Sequence, residues 1–195
     1  MGKVVVSEFV SLDGVMEDPG GAEGFEHGGW SFKFDRGDEG NKYKFDELMA
    51  ADVHLLGRVT YQGFAKAWPN MTDMGAYGEK MNSMPKYVVS NTLTDSEAEW
   101  NNSTVIRGDV TGQVAELMAQ TSGDVLVAGS CRLVQSLAES DLVDEYRIMV
   151  FPIILGSGRR LFAEGASMRT LQLLESKTVG PDGVVILTYQ PVRAA

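Results

Sequence analysis

Two corners of the chain hold the residue types best suited to chemistry. The stretch from Asp124 to Leu137 reads Asp-Val-Leu-Val-Ala-Gly-Ser-Cys-Arg-Leu-Val-Gln-Ser-Leu. Val125 to Ala128 is a short apolar run, as in a strand buried on both faces, and Leu133, Val134 and Leu137 then recur at helical spacing. The chain therefore passes from strand to helix at Gly129 and Ser130. Glycine allows a sharp turn and a close ligand approach, and the first helical N–H groups point outward, without partners, at the positive end of the dipole. Such a corner suits a pyrophosphate; it equally suits an ordinary connection in which Ser130 is the N-cap.

The same pattern occurs a second time. Asp52 to Leu56 reads as a buried strand, followed by Gly57-Arg58-Val59-Thr60 and a helix through Tyr61, Phe64 and Ala65. Here Gly57 admits a ligand, Arg58 can fork onto a phosphate and Thr60 can donate from the first turn, unless Arg58 is only a solvated surface charge. At the end of a third strand, Lys86 to Ser90, the run Ser90-Asn91-Thr92 offers hydroxyl and amide groups to a ribose or phosphate, or to a turn of its own.

Composition limits what else the chain can be. With 195 residues, 44% of them hydrophobic, one domain spanning 1–195 is the expectation. The formal charge of −10 disfavours nucleic-acid binding, so an anionic ligand must be met by local groups. No run approaches the roughly 18 apolar residues needed to cross a bilayer, and a cytoplasmic location is expected. Cys131 is the single cysteine and His27 and His54 are the only histidines, which leaves no disulfide and no zinc-type cluster. Cys131 reads as a small packing residue or, in a helix first turn, as a thiol of lowered pKa.

These corners need a frame. Val4 to Val10 is a first strand ended by Ser11-Leu12-Asp13-Gly14, and Glu17 to Gly40 is a long loop with Phe25, Trp30, Phe32 and Phe34, which either cover a site or belong to the core. Asn41 to Ala51 reads as a helix with Phe45, Leu48 and Met49 inward; a short helix follows near Tyr77 to Met81, then a strand at Thr104 to Arg107 and an amphipathic helix at Val110 to Gln120. Val143 to Phe151, Leu171 to Val179 and Val184 to Gln190 are strand-like, the last two joined by Pro181-Asp182-Gly183 as an antiparallel hairpin. The expected fold is α/β: a mixed, mostly parallel sheet with helices on both faces, closed by an antiparallel C-terminal hairpin, with ligand binding at the carboxyl ends of the parallel strands.

Ser11-Leu12-Asp13-Gly14, Leu55-Leu56-Gly57-Arg58-Val59-Thr60-Tyr61, Val88-Val89-Ser90, Val127-Ala128-Gly129-Ser130, Leu142 to Tyr146 and Pro152 to Phe162 occur in an order that resembles the dihydrofolate-reductase-like family. The branch most similar is the C-terminal reductase domain of the bifunctional riboflavin biosynthesis protein. The resemblance implies a dihydrofolate-reductase-like fold, NADPH as cofactor and a homodimer. It implies that Gly57, Arg58 and Thr60 hold phosphates of NADPH, with Arg58 near the adenosine 2′-phosphate, and that Ser90 meets the adenosine end. Gly129 and Ser130 would lie against the pyrophosphate and nicotinamide, and Asp13 and Gly14 would border the nicotinamide. The carboxylate that dihydrofolate reductases carry on the first helix falls, by family spacing, on Asn41, with Asp38, Glu39 and Asp46 near but not on it. The His-x-Glu and Pro-Cys-x-x-Cys pattern of the riboflavin-pathway deaminase is missing.

The expected function is hydride transfer from NADPH to a small heterocyclic or carbonyl substrate, a pyrimidine or pterin among the candidates, with a proton from Asp13, Asp46 or an ordered water. The alternatives are an NADPH-binding relative without turnover, a stand-alone riboflavin-pathway pyrimidine reductase, and a dimeric partner-binding module. Arg159 and Arg160 could meet an acidic substrate group, or belong to a flexible connection.

Overall fold

In the computed structural model the described residues are 1–193, so the final two residues of the expected 1–195 domain lie outside them. Eight strands form one sheet: β1 (Val4–Ser11), β2 (Ala51–Gly57), β3 (Lys86–Val89), β4 (Ser103–Ile106), β5 (Asp124–Val127), β6 (Glu145–Phe151), β7 (Leu171–Val179) and β8 (Val184–Pro191), in the order β4-β3-β2-β5-β1-β6-β8-β7. The first six in that order run parallel, and β8 is antiparallel to both β6 and β7. This is the mixed sheet with a C-terminal hairpin that the apolar runs predict.

Five α-helices cover the faces: α1 (Gly37–Ala50), α2 (Arg58–Ala67), α3 (Gly75–Ser83), α4 (Val110–Gln120) and α5 (Cys131–Glu139). Side chains alternate across each strand, so one sheet feeds two cores. Val4, Val6, Leu55, Val125 and Val127 pack against Val114 and Leu117 of α4 and Leu133, Val134 and Leu137 of α5. Val5, Leu56 and Leu126 pack instead with Leu48 of α1, Tyr61 of α2 and Met81 of α3. A third cluster joins Trp30 to Met149, Phe151, Val184 and Ile186 beside the hairpin.

Two local expectations are corrected. The first helix begins at Gly37 rather than Asn41, and Phe45 is 39% exposed although Leu48 is buried. The inner face of α1 is in part ionic: Lys44 donates to Ser7 at 2.6 Å, Ser7 donates to Glu47 at 2.8 Å, and Lys44 pairs with Glu47. Helical periodicity in apolar residues is therefore weak there.

A buried lysine fixes the start of β3. The Lys86 ammonium donates to the carbonyls of Met84 (2.8 Å), Asn101 (3.0 Å) and Asn82 (3.1 Å), and lies 4.2 Å from the centre of the Trp100 ring. Lys86→Met keeps the bulk and removes all three donors. It is expected to lower stability by about 2–3 kcal/mol in urea unfolding, and a loss under about 0.5 kcal/mol would show that the ammonium does not organise this end of the sheet.

Candidate active site

Because β3, β2, β5 and β1 are adjacent and parallel, Ser90, Gly57, Gly129 and Ser11 all stand on one rim of the sheet. The two glycine corners sit on neighbouring strands, and they touch. A Cβ added to Gly57 would fall 2.0 Å from Ser130 Oγ, and one added to Gly129 would fall 2.6 Å from Thr60 Oγ1. Only glycine at both positions lets the starts of α2 and α5 come this close. Gly129 also has φ of +77°, and the Gly129–Ser130 peptide bond is cis.

Neither helix is capped by a side chain at this end. In α5 the first intrahelical bond is from Val134 N–H to the Ser130 carbonyl at 3.0 Å, so the N–H groups of Cys131, Arg132 and Leu133 lack helical acceptors. Two positive dipole ends therefore converge on the same corner. Two cations stand beside them. Among the described residues, exposed Arg58 bonds through its side chain only to Gln62, at 3.1 Å, and Arg132, in the first turn of α5, is exposed with no ion pair. Sequence reasoning named Arg58 and missed Arg132, although its place two residues beyond Ser130 was a usable signal.

Glu8 was missed as well. It lies on the face of β1 that carries Val4, Val6 and Val10 and is buried, and its Oε1 accepts the Gly129 N–H at 2.6 Å. Burial pushes its pKa up to about 8, against the lowering effects of the Gly129 hydrogen bond and Lys44. A charged residue on the apolar face of a strand was the sequence signal.

Asp13 has the opposite environment. Its carboxylate accepts from Ser11 Oγ at 2.7 Å, from Leu155 N–H at 3.1 Å and from Gly156 N–H at 2.9 Å. These hydrogen bonds outweigh some desolvation and hold its pKa down to about 2. Asp13 is thus a carboxylate that ties the loop after β6 to the end of β1. Gly14, next to it, has φ of +85° and open space where a Cβ would be. Asp46 lies on the solvent side of α1, paired with Lys42 at 2.5 Å, because the inward positions of that helix are held by Lys44, Glu47 and Leu48. Asn41 is exposed and accepts from Arg36 at 2.7 Å.

Ser90 does reach the rim, but its Oγ accepts from Thr92 N–H (3.1 Å) and Leu93 N–H (2.9 Å). Its oxygen shapes the turn, the second of the two roles that the sequence leaves open for it. The aromatic loop divides between both of its expected roles. Trp30 is core, donating to the Glu17 carbonyl at 2.8 Å, while Phe32 is 79% exposed. Arg159 pairs with Glu17 and Glu23, each at 2.9 Å, and Arg160 donates to the Asp13 carbonyl at 2.8 Å, so both arginines brace loops rather than stand free for a substrate. The Cys131 thiol donates to the Arg160 carbonyl at 3.0 Å and burial pushes its pKa up, as for a packing residue.

The RibD C-terminal domain model matches residues 2–185. The chain belongs to this family. It is 29% identical over 178 residues to the uncharacterized protein YwjB of Bacillus subtilis (strain 168), covering 91% of this chain and 92% of that one. Among solved structures, a putative riboflavin biosynthesis protein from Shewanella sp. PV-4 superposes with a TM-score of 0.75 at 25% identity, over 99% of this chain and 100% of that one. Dihydrofolate reductase from Enterococcus faecalis, solved with NADP(H), superposes with a TM-score of 0.61 at 14% identity, over 98% of each chain, and so shares the fold.

Two outcomes test this geometry. Gly129→Ala and Gly14→Ala both place a side chain at positive φ, which costs about 1 kcal/mol by itself. Gly129→Ala also drives a methyl into Thr60, so its loss of melting temperature should clearly exceed that of Gly14→Ala; equal losses would mean that the corners are not in contact. The second outcome concerns pH. The folded chain holds the Glu8 proton more tightly than the unfolded chain, so Glu8 supports folding below the ordinary carboxyl pKa of 4.5 and its contribution is lost as pH rises to about 8. Urea midpoints at pH 5, 7 and 9 should therefore show Glu8→Gln gaining on the wild type as pH rises, and parallel curves would exclude the raised pKa.

Proposed function

We propose that the chain is an NADPH-dependent reductase of a small heterocyclic or carbonyl compound, with pyrimidines and pterins as the acceptor class. The observation that carries this reading is the contact of the Gly57–Thr60 and Gly129–Ser130 corners, each with an uncapped helix start, beside Arg58 and Arg132. A dinucleotide has two phosphate ends to be held, and an acidic protein needs such a local positive field to hold them. Family membership and the Enterococcus faecalis enzyme solved with NADP(H) support the choice of cofactor.

When bound, NADPH supplies the hydride. The chain's own part is positional. The N–H groups of Cys131 and Arg132 and the Thr60 hydroxyl would meet the pyrophosphate, and Arg58 would read the 2′-phosphate through its planar fork. Gly14, with open space above it, leaves room beside the nicotinamide. The loops flanking that space are held by Asp13, Arg159 and Arg160, so the acceptor would meet a preformed wall. With Asp13 ionised and Asp46 turned to solvent, the proton that accompanies the hydride comes from water.

One point favours a second reading, cofactor binding without turnover: the position that family spacing assigns to the carboxylate of dihydrofolate reductases is Asn41, which is exposed and cannot ionise. A cytoplasmic location and a homodimer complete the proposal. Among the described residues no helix is long and apolar enough to cross a membrane, and exposed Leu173 and Leu174 on edge strand β7 offer a surface for a second copy.

Titration of tryptophan fluorescence with NADPH should show saturable quenching, and none at millimolar cofactor would remove both readings. Loss of NADPH absorbance across a panel of pterins, pyrimidines and quinones would separate turnover from binding alone. Arg58→Ala is expected to weaken NADPH about tenfold, a change of about 1.4 kcal/mol, while leaving NADH nearly unchanged. Equal losses would show that Arg58 does not read the 2′-phosphate.

A further inference from the structure

β5 leaves the sheet after Val127, whereas β1 continues to Ser11. Extending the register pair Val6↔Val127 by two residues sets Glu8 opposite Gly129, where the β1–β5 pairing has stopped. The Glu8 side chain takes over at that point, its Oε1 accepting the Gly129 N–H at 2.6 Å. The turn so held leans on Thr60 and Gly57 of the neighbouring corner and opens the first turn of α5.

We propose that Glu8 is a proton-linked positioning residue: its neutral form clamps the Gly129–Ser130 turn from beneath, and its ionisation weakens the binding of an anion at that turn. The choice of NADPH as the anion rests on the function proposed above, while the clamp stands on its own geometry.

The charges that reach Glu8 are Lys44 and Glu47 from α1 and Glu23 from the loop after β1; Cys131 of α5 also senses it, and Glu17 lies in the same neighbourhood. Burial outweighs them and keeps Glu8 a neutral acid at pH 7. A neutral carboxyl accepts the Gly129 N–H without placing charge below a phosphate. A carboxylate there would oppose the bound anion across a poorly screening interior. Linkage then requires that anion binding near pH 8 be accompanied by proton uptake at Glu8. Valine, as at Val4, Val6 and Val10, would continue the apolar face but leave the Gly129 N–H without an acceptor.

The test is made on the full chain in two arms. In the first, the 15N-labelled Gly129 amide is followed without ligand from pH 6 to pH 10. The wild type and Cys131→Ser are expected to titrate near pH 8, and Glu8→Gln, which keeps an oxygen acceptor, is expected to stay flat. An amide that does not move, or that moves equally in Glu8→Gln, overturns the clamp. In the second, NADPH affinity is measured by tryptophan quenching from pH 7 to pH 9.5, above the ionisation of the 2′-phosphate. The wild type should lose about tenfold, Glu8→Gln less than about twofold, and Glu8→Val should bind weakly throughout. Equal slopes in the wild type and Glu8→Gln overturn the link to binding. Failure of every variant to bind NADPH at any pH overturns the cofactor reading instead, and the amide titration then decides the clamp alone.

Discussion

Everything at the rim depends on one close approach, that of the starts of α2 and α5 where β2 and β5 end side by side. Two helix N-termini are like poles, and bringing them together without side-chain caps gathers unpaired N–H groups and positive potential at one place. The approach is possible because Gly57 and Gly129 present no Cβ to Ser130 and Thr60. On a chain of net charge −10, with Arg58 and Arg132 exposed beside the corner and without an ion pair among the described residues, the result is a small locally positive site. An anion placed there would relieve the repulsion that the fold builds in.

Two carboxyl groups near the end of β1 illustrate how environment assigns roles. Glu8 and Asp13 are five residues apart, yet one is pushed up to about 8 and the other down to about 2. Glu8 receives a single N–H in an apolar core; Asp13 receives a hydroxyl and two N–H groups at the surface. The same functional group is therefore a neutral clamp in one setting and an ionised tie in the other. Together with Arg159 and Arg160, Asp13 gives the loops around the rim a fixed shape, so a segment that reads from its glycines as flexible is in fact braced.

Much of the fold was legible in the sequence. Parallel strands buried on both faces are short apolar runs, and those at Asp52 to Leu56, Lys86 to Ser90 and Val125 to Ala128 match β2, β3 and β5 to within a residue or so at each end. The amphipathic run Val110 to Gln120 is α4 itself. Less legible was α1, whose first turn contains Gly37 and Gly40 and whose inner face is occupied by Lys44 and Glu47, so that neither propensity nor apolar spacing marks its start or its orientation. The aromatic loop was ambiguous for a different reason: whether Trp30 or Phe32 turns inward depends on the Phe151 and Ile186 side chains that arrive from far along the chain.

The sequence by itself determined the local chemistry: which glycines end strands, which residues begin helices, and that a cation and hydroxyl follow Gly57. Only the tertiary structure decided which of these groups meet. That Gly57 lies against Ser130, that Glu8 answers the Gly129 N–H across 121 positions of chain, and that Asp13 holds Leu155 and Gly156 all follow from strand order and register. Strand pairing joins segments remote in sequence through backbone groups that every residue shares, so no local pattern records the partner; packing of the whole sheet selects it.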